Sequence, residues 1–185
     1  MFIQTEATPN PATLKFLPGR PVMPTGSCEF RDPDSATNSP LATSLFGIDG
    51  VDGVFFGADF LAVTKTGPSD WQHLKPAILG TVMEHFMSGA PVVNDDHAAG
   101  DGDENFDESD AEIVATIKEL LETRVRPAVA QDGGDITFNG FRDGIVYLQM
   151  KGACDGCPSS TATLKHGIEN LLRHFVPEVQ EVRPV

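Results

Sequence analysis

Two of the three cysteines in this chain, Cys154 and Cys157, stand three positions apart in the segment GACDGCP at 152–158. The segment lies between a strand-like run and a predicted helix start. Two thiolates are half of the four sulfur ligands that a structural zinc ion or an iron–sulfur cluster takes. The other half must come from elsewhere, and a second copy of the same chain is the simplest source.

The predicted helix start bears on the chemistry of Cys157. The N-terminus of a helix presents unpaired N–H groups and the positive end of the helix dipole. This environment favours the thiolate, the form that binds metals or attacks disulfides. Gly152 and Gly156 leave room for a bulky inorganic group to approach the backbone.

Three kinds of site could use such a cysteine pair. A thioredoxin-like redox pair also sits at a helix start, but it follows a βαβ pattern, whereas a hairpin is predicted here. A zinc site within one chain lacks ligands, because His166 lies nine positions beyond Cys157, roughly 13 Å along a helix. Cys28 stands in a loop-like segment far away in the sequence. We therefore expect a metal or cluster centre shared by two chains, with a thiol–disulfide oxidoreductase as the alternative. Spacing alone does not separate zinc from iron–sulfur.

The elements around the cysteine pair can be read from apolar periodicity. Residues 113–125 carry a helical pattern that predicts a helix ending near Pro127. A turn at 131–134 leads into two strands that form a hairpin, a helix begins near Pro158, and a short strand closes the chain. The predicted order of this C-terminal domain, 110–185, is α-β-β-α-β.

The N-terminal part, 1–89, predicts a second small α+β domain. Strand patterns occur at 12–17 and in a hairpin over 51–64. Ser69 or Asp70 can cap a helix whose apolar side chains recur every four residues. That stripe consists of Leu74, Ile78, Val82 and Phe86. No catalytic constellation is visible in this domain.

An acidic segment separates the two domains. Residues 91–110 contain eight Asp or Glu and no Lys or Arg. Such a polar, self-repelling stretch without apolar periodicity predicts a flexible linker, which we place at 90–109. The predicted fold class is therefore α+β, with two small domains joined by an acidic flexible linker.

Composition narrows the classes of function. A net charge of −14 argues against nucleic acid and against an anionic membrane as partners. The sequence shows neither a long apolar run nor a signal or transit peptide. Three cysteines, of which only two are close, favour a reducing cytoplasm over a disulfide framework. No acid–base pair, nucleophile triad or phosphate loop is present, so we expect a protein that is not an enzyme.

Several longer segments resemble a known family. In the C-terminal domain they are VRP at 125–127, QDGGD at 131–135, LQMKGACDGCPSST at 148–161 and LKHGIE at 164–169. This domain resembles the NifU C-terminal domain, the Nfu-type iron–sulfur carrier module. In the N-terminal domain TPNPATLKF at 8–16 and FGIDGV at 46–51 resemble the Nfu N-terminal domain.

The resemblance implies a carrier of a [4Fe–4S] cluster held between two subunits. Cys154 and Cys157 of each chain would supply the four thiolates. It also implies a homodimer in the loaded state, an upstream cluster scaffold as donor and apo iron–sulfur proteins as clients. Because the N-terminal domain shows no ligands, we expect it to select clients or upstream donors. The lack of a transit peptide leads us to expect a bacterial, cytoplasmic member of the family.

Overall fold

The computed structural model describes residues 2–24, 26–94, 104–153 and 158–185, and the side chains of 158–161 are outside the description. The chain forms two compact units, Met1–Gly100 and Asp101–Val185. Each unit contains a sheet and helices, so the α+β fold class is confirmed. Across the described ranges, no helix combines the length and the apolar character needed to cross a membrane.

The first unit is built on a five-stranded sheet in which all neighbours are antiparallel. Its strands are β1 (Gln4–Ala7), β2 (Thr13–Leu17), β3 (Cys28–Phe30), β4 (Val51–Phe56) and β5 (Leu61–Lys65), in the spatial order β1-β2-β5-β4-β3. The predicted strand at 12–17 and the predicted hairpin correspond to β2 and to β4–β5. The strands β1 and β3 were not predicted.

Two helices cover this sheet, α1 (Pro40–Phe46) and α2 (Trp71–Ser88). The carboxylate of Asp70 caps α2 by accepting a hydrogen bond from the backbone N of Gln72 at 3.0 Å, one of the two capping residues predicted. The apolar stripe packs into the core as expected, because its first three members are buried and Phe86 is partly buried. The helix α1, which was not predicted, buries Leu41 and Leu45 in the same core.

In the second unit the first helix does not end near Pro127, so that prediction is wrong. The helix α3 (Ala111–Leu120) leads into a π-helical turn at Leu121–Val125, and α4 (Arg126–Gln131) continues beyond the proline. Pro127 falls in the first turn of α4, where a missing N–H is tolerated. The wider π turn resets the hydrogen-bond register just before the proline, which allows the chain to stay helical.

A three-stranded sheet completes the second unit. It consists of β6 (Gly134–Arg142), β7 (Ile145–Gly152) and β8 (Glu181–Pro184), with β7 in the centre. The strands β6 and β7 form an antiparallel hairpin whose two-residue turn, Asp143 and Gly144, has positive φ angles of 52° and 78°. The helix α5 (Pro158–Phe175) connects β7 to the parallel strand β8. Apart from the split first helix, this is the predicted α-β-β-α-β order.

The N-terminal end of the expected linker contacts the first unit. The Ser39 hydroxyl donates to the carbonyl of Val92 at 2.5 Å, and the backbone N of Asn94 donates to the carbonyl of Asn38 at 2.8 Å. Val92 and Val93 pack against the core of this unit. Residues 95–103 of the expected linker lie outside the described residues, so its flexibility stays a prediction.

The C-terminal end of the expected linker contacts the second unit through a short strap, residues 104–106. The backbone N of Asn105 donates to Asn139 at 3.1 Å, and its carbonyl accepts from Phe141 at 3.0 Å. Phe106 packs edge-on against Phe138 with the ring centroids 6.2 Å apart. Glu104 pairs with Lys118 on α3. The strap therefore lies along β6, on the side of that strand away from β7.

Candidate metal centre

The two cysteines of the predicted centre, Cys154 and Cys157, lie outside the described residues. The structure describes the elements that flank them. As predicted, a strand precedes the cysteines and a helix follows them: β7 ends at Gly152 and α5 begins at Pro158. The cysteine segment therefore joins the central strand of the sheet to the N-terminus of the crossover helix.

The strand side of the cysteine segment has a defined entry. Gly152 has a φ of +66°, a conformation that glycine adopts without the steric cost of a Cβ atom. The next residue, Ala153, is buried with 2% of its surface exposed. Its backbone N donates to the carbonyl of Gly133 at 3.2 Å. The residue before Cys154 is thus fixed by burial and by a hydrogen bond.

The partner in that hydrogen bond belongs to the turn predicted at 131–134. This turn ends α4, with the backbone N of Asp132 donating to Val129 and that of Gly133 donating to Ala130, both at 3.1 Å. Gly133 has a φ of +80°. Gly134 then opens β6 directly opposite Gly152 of β7. The turn and the start of the cysteine segment are therefore adjacent at one end of the sheet.

An ion pair connects α4 to β6 near this end of the sheet. The Arg126 guanidinium donates from Nε to Oδ1 of Asp135 at 2.8 Å and from Nη2 to Oδ2 at 2.9 Å, and from Nη1 to Oε2 of Glu122 at 2.6 Å. Asp135 is only 6% exposed. The hydrogen bond to Asp135 outweighs partial burial and raises the pKa of Arg126, so the guanidinium stays charged.

Sequence reasoning did not single out Arg126 and Asp135 as a pair. The two residues are separated by nine positions, by a turn and by a change from helix to strand. No periodicity joins residues placed in this way. The only available signal was that both occur in the segments that resemble the NifU C-terminal domain.

The other residues weighed as metal ligands lie in different places. Cys28 is half-buried on β3 of the first unit, and His166 is exposed on α5 of the second. Within the part of the chain that the structure describes, no group of three or more His, Cys, Asp or Glu side chains could hold a metal ion.

Comparison with known proteins identifies both units as domains of one class of protein. Residues 3–89 match the family described as "Scaffold protein Nfu/NifU N terminal", and residues 117–183 match the "NifU-like domain". The chain therefore belongs to the Nfu/NifU-like family, which confirms the resemblance found in the sequence.

Individual relatives cover almost the whole chain. It is 56% identical over 184 residues to "NifU-like protein 4, mitochondrial" of Arabidopsis thaliana, which covers 98% of this chain and 65% of that protein. It is 52% identical over 186 residues to "NFU1 iron-sulfur cluster scaffold homolog, mitochondrial" of Homo sapiens, covering 100% of this chain and 72% of that protein. The solution NMR structure of a NifU-like protein from Saccharomyces cerevisiae is 27% identical, with a TM-score of 0.47, over 51% of this chain and 86% of that one.

These relatives correct one expectation. The bacterial, cytoplasmic location expected from the sequence is wrong, because three relatives that align along almost the whole chain, two from Arabidopsis thaliana and one from Homo sapiens, are named as mitochondrial proteins. The expectation rested on the residues at the start of this chain. The relatives are longer, and the chain spans only 65% of the length of the first of them.

Proposed function

We propose that this chain binds an iron–sulfur cluster through Cys154 and Cys157 and delivers it to proteins that require one. The observation that carries the proposal is the Cys-x-x-Cys segment between β7 and α5. Its support is the family of the chain, since the human relative is named as an iron–sulfur cluster scaffold. The cluster is cargo rather than a catalyst, so no turnover of a small substrate is expected.

The proposed cluster is of the [4Fe–4S] type and is shared by two copies of the chain. One copy offers two closely spaced thiols, whereas a cubane cluster takes four cysteine ligands. Two copies complete that set symmetrically. A shared cluster also suits delivery, because separation of the copies, or replacement of one by the thiols of a client, opens ligand positions without unfolding either copy.

The proposed partners are an upstream cluster scaffold and apo iron–sulfur clients. The second unit contains the cysteine segment, and the first unit has its own core and its own sheet. We assign the selection of donors or clients to the first unit. The predicted linker would then allow one unit to engage a partner while the other holds the cluster.

The experiment is anaerobic reconstitution of the full chain with iron and sulfide. We expect a broad absorption band in the visible region and about four irons for every two chains. Cys157→Ser should abolish both. Cys28→Ser is the matched control, because it removes a thiol from the first unit only, and it should bind as much iron as the parent.

Two results would contradict the proposal. A colourless monomer that cycles between a Cys154–Cys157 disulfide and two thiols would favour a thiol–disulfide oxidoreductase. A colourless dimer that contains zinc and transfers no cluster would favour a structural zinc clasp between two chains.

A further inference from the structure

We propose that Arg126 and Asp135 are positioning residues for the cysteine segment. This inference rests on the proposed function and extends it to residues that are not cluster ligands. Arg126 opens α4 directly after the π turn, and Asp135 is the second residue of β6. The two residues therefore lie on either side of the turn that contains Gly133, whose carbonyl accepts a hydrogen bond from the backbone N of Ala153.

The geometry of the pair restrains orientation as well as distance. Both carboxylate oxygens of Asp135 accept from the guanidinium, and Oδ1 also accepts from the backbone N of Ile136 at 2.8 Å. Glu122 holds the third guanidinium nitrogen. A planar fork bonded on two sides fixes the direction of the Arg126 side chain. The start of α4 is thereby tied to the start of β6.

The restraint extends to the cysteine segment through the backbone. Asp135 lies opposite Lys151 and Gly134 lies opposite Gly152 in the β6–β7 register. Ala153 then bonds to Gly133, so the two strands remain joined up to the residue before Cys154. A shift of β6 relative to α4 would move Gly133, and with it the anchor of Ala153.

A purely stabilising role explains the Arg126–Asp135 pair less well than a positioning role does. Asp135 is a buried charged residue, with only 6% of its surface exposed. Removing such a charge from water carries a large desolvation cost, and apolar residues of similar volume often stabilise a fold as well or better. What a bidentate pair supplies that an apolar contact does not is a fixed direction, which is the property a ligand-bearing segment requires.

The test compares two conservative variants of the full chain with a matched control. Arg126→Lys keeps the charge and removes the fork, and Asp135→Asn keeps the shape and removes the charge. The control is Arg173→Lys, which makes the same arginine-to-lysine substitution at an exposed position of the same unit. Arg173 pairs there with Glu169, four positions earlier on α5. Each protein is loaded anaerobically, and the loss of its cluster to an iron chelator is timed. Visible circular dichroism of the cluster and thermal unfolding of the apo-protein are recorded alongside.

We expect either variant to lose its cluster about tenfold faster than the parent, the lower end of the effect of removing groups that orient metal ligands. Its visible circular dichroism should change while the apo-protein remains folded. Arg173→Lys should match the parent. If either Arg126→Lys or Asp135→Asn fails to fold, the remaining variant tests the proposal. A folded variant with the lifetime and dichroism of the parent overturns the proposal, as does a faster loss shared by Arg173→Lys.

A separate measurement distinguishes failure of this inference from failure of the proposed function. The rate at which iodoacetamide alkylates Cys154 and Cys157 is measured in the apo-protein, where no cluster is needed. If the parent binds no cluster, the proposed function fails. A changed alkylation rate in folded Arg126→Lys or Asp135→Asn would still support positioning of the segment, and an unchanged rate would overturn it.

Discussion

His85 is a buried titratable residue of the first unit. It is buried on α2 with 8% of its surface exposed, and its Nε2 atom has no hydrogen-bond partner among the described residues. Burial lowers the pKa of His85. The ring is therefore neutral in the folded chain under conditions in which the unfolded chain already binds a proton. The stability of the first unit is thus linked to pH.

The sign of this linkage gives a prediction. The unfolded state binds a proton at His85 that the folded state does not. The free energy of unfolding should therefore be highest above about pH 6.5 and decrease as the pH falls below that value, by at most about 1.4 kcal/mol per pH unit for one proton. Denaturant titrations between neutral and mildly acidic pH can follow this through Trp71, the single tryptophan, which lies at the start of α2. His85→Gln should flatten the dependence, whereas His73→Gln, an exposed position on the same helix, should not. An equal slope in the parent and in His85→Gln would contradict this account.

At the scale of elements, the strap at 104–106 is part of the second unit. It adds two backbone hydrogen bonds to β6 and the edge-on contact between Phe106 and Phe138. A Cβ atom on Gly140 would lie 2.7 Å from the carbonyl oxygen of Asn105, so the close approach of the strap requires glycine at that position. The strap also occupies part of the free side of an edge strand, which limits pairing with other chains.

Phe106→Ala tests the contribution of the strap. We expect the second unit to lose about 2 kcal/mol of unfolding free energy, because Phe106 is partly rather than fully buried in the core. Far-UV circular dichroism in denaturant measures the change, and Trp71 fluorescence reports the first unit as an internal control. Phe2→Ala, at a position 80% exposed in the first unit, is the matched variant and should have little effect. Unchanged stability of the second unit in Phe106→Ala would mean that the strap contributes nothing.

The elements that could be predicted are those with local signals. The β4–β5 and β6–β7 hairpins show strand patterns around short turns, and α2 has a cap and an apolar stripe. The strand β1 pairs with the next strand along the chain, but its four residues are exposed or half-buried and show no apolar alternation. The strand β3 has only three residues and the helix α1 only seven, too few to show a clear periodicity. The prediction that the helix ends near Pro127 failed because the π turn before the proline, which the apolar periodicity does not reveal, allows the helix to continue. The cysteine pair could be predicted from its spacing in the sequence. The Arg126–Asp135 pair could not, because only the fold brings these two residues together.

At the scale of the whole molecule, the two units have separate cores and separate sheets. The cysteine segment belongs to the sequence of the second unit. This arrangement underlies the proposed division of work, in which one unit holds the cluster and the other selects partners. Removal of the first unit should therefore separate the two activities.

The chain 101–185 makes that separation measurable. Because the core of the second unit is complete without the first, we expect it to bind as much cluster per chain as the full protein. Its delivery to an apo [4Fe–4S] enzyme, followed by recovery of that enzyme's activity, should be slower. An unchanged delivery rate would remove the proposed role of the first unit, and failure of folded 101–185 to bind a cluster would show that the site needs both units.

The central claim is that two copies of the chain share one cluster through their cysteine pairs. Native mass spectrometry of the anaerobically loaded chain tests it most directly, because the mass gives the number of chains, irons and sulfides in one particle. We expect two chains with one [4Fe–4S] cluster, and a single chain without a cluster for Cys157→Ser. A cluster carried by one chain alone, or a dimer that persists unchanged in Cys157→Ser without iron, would contradict it.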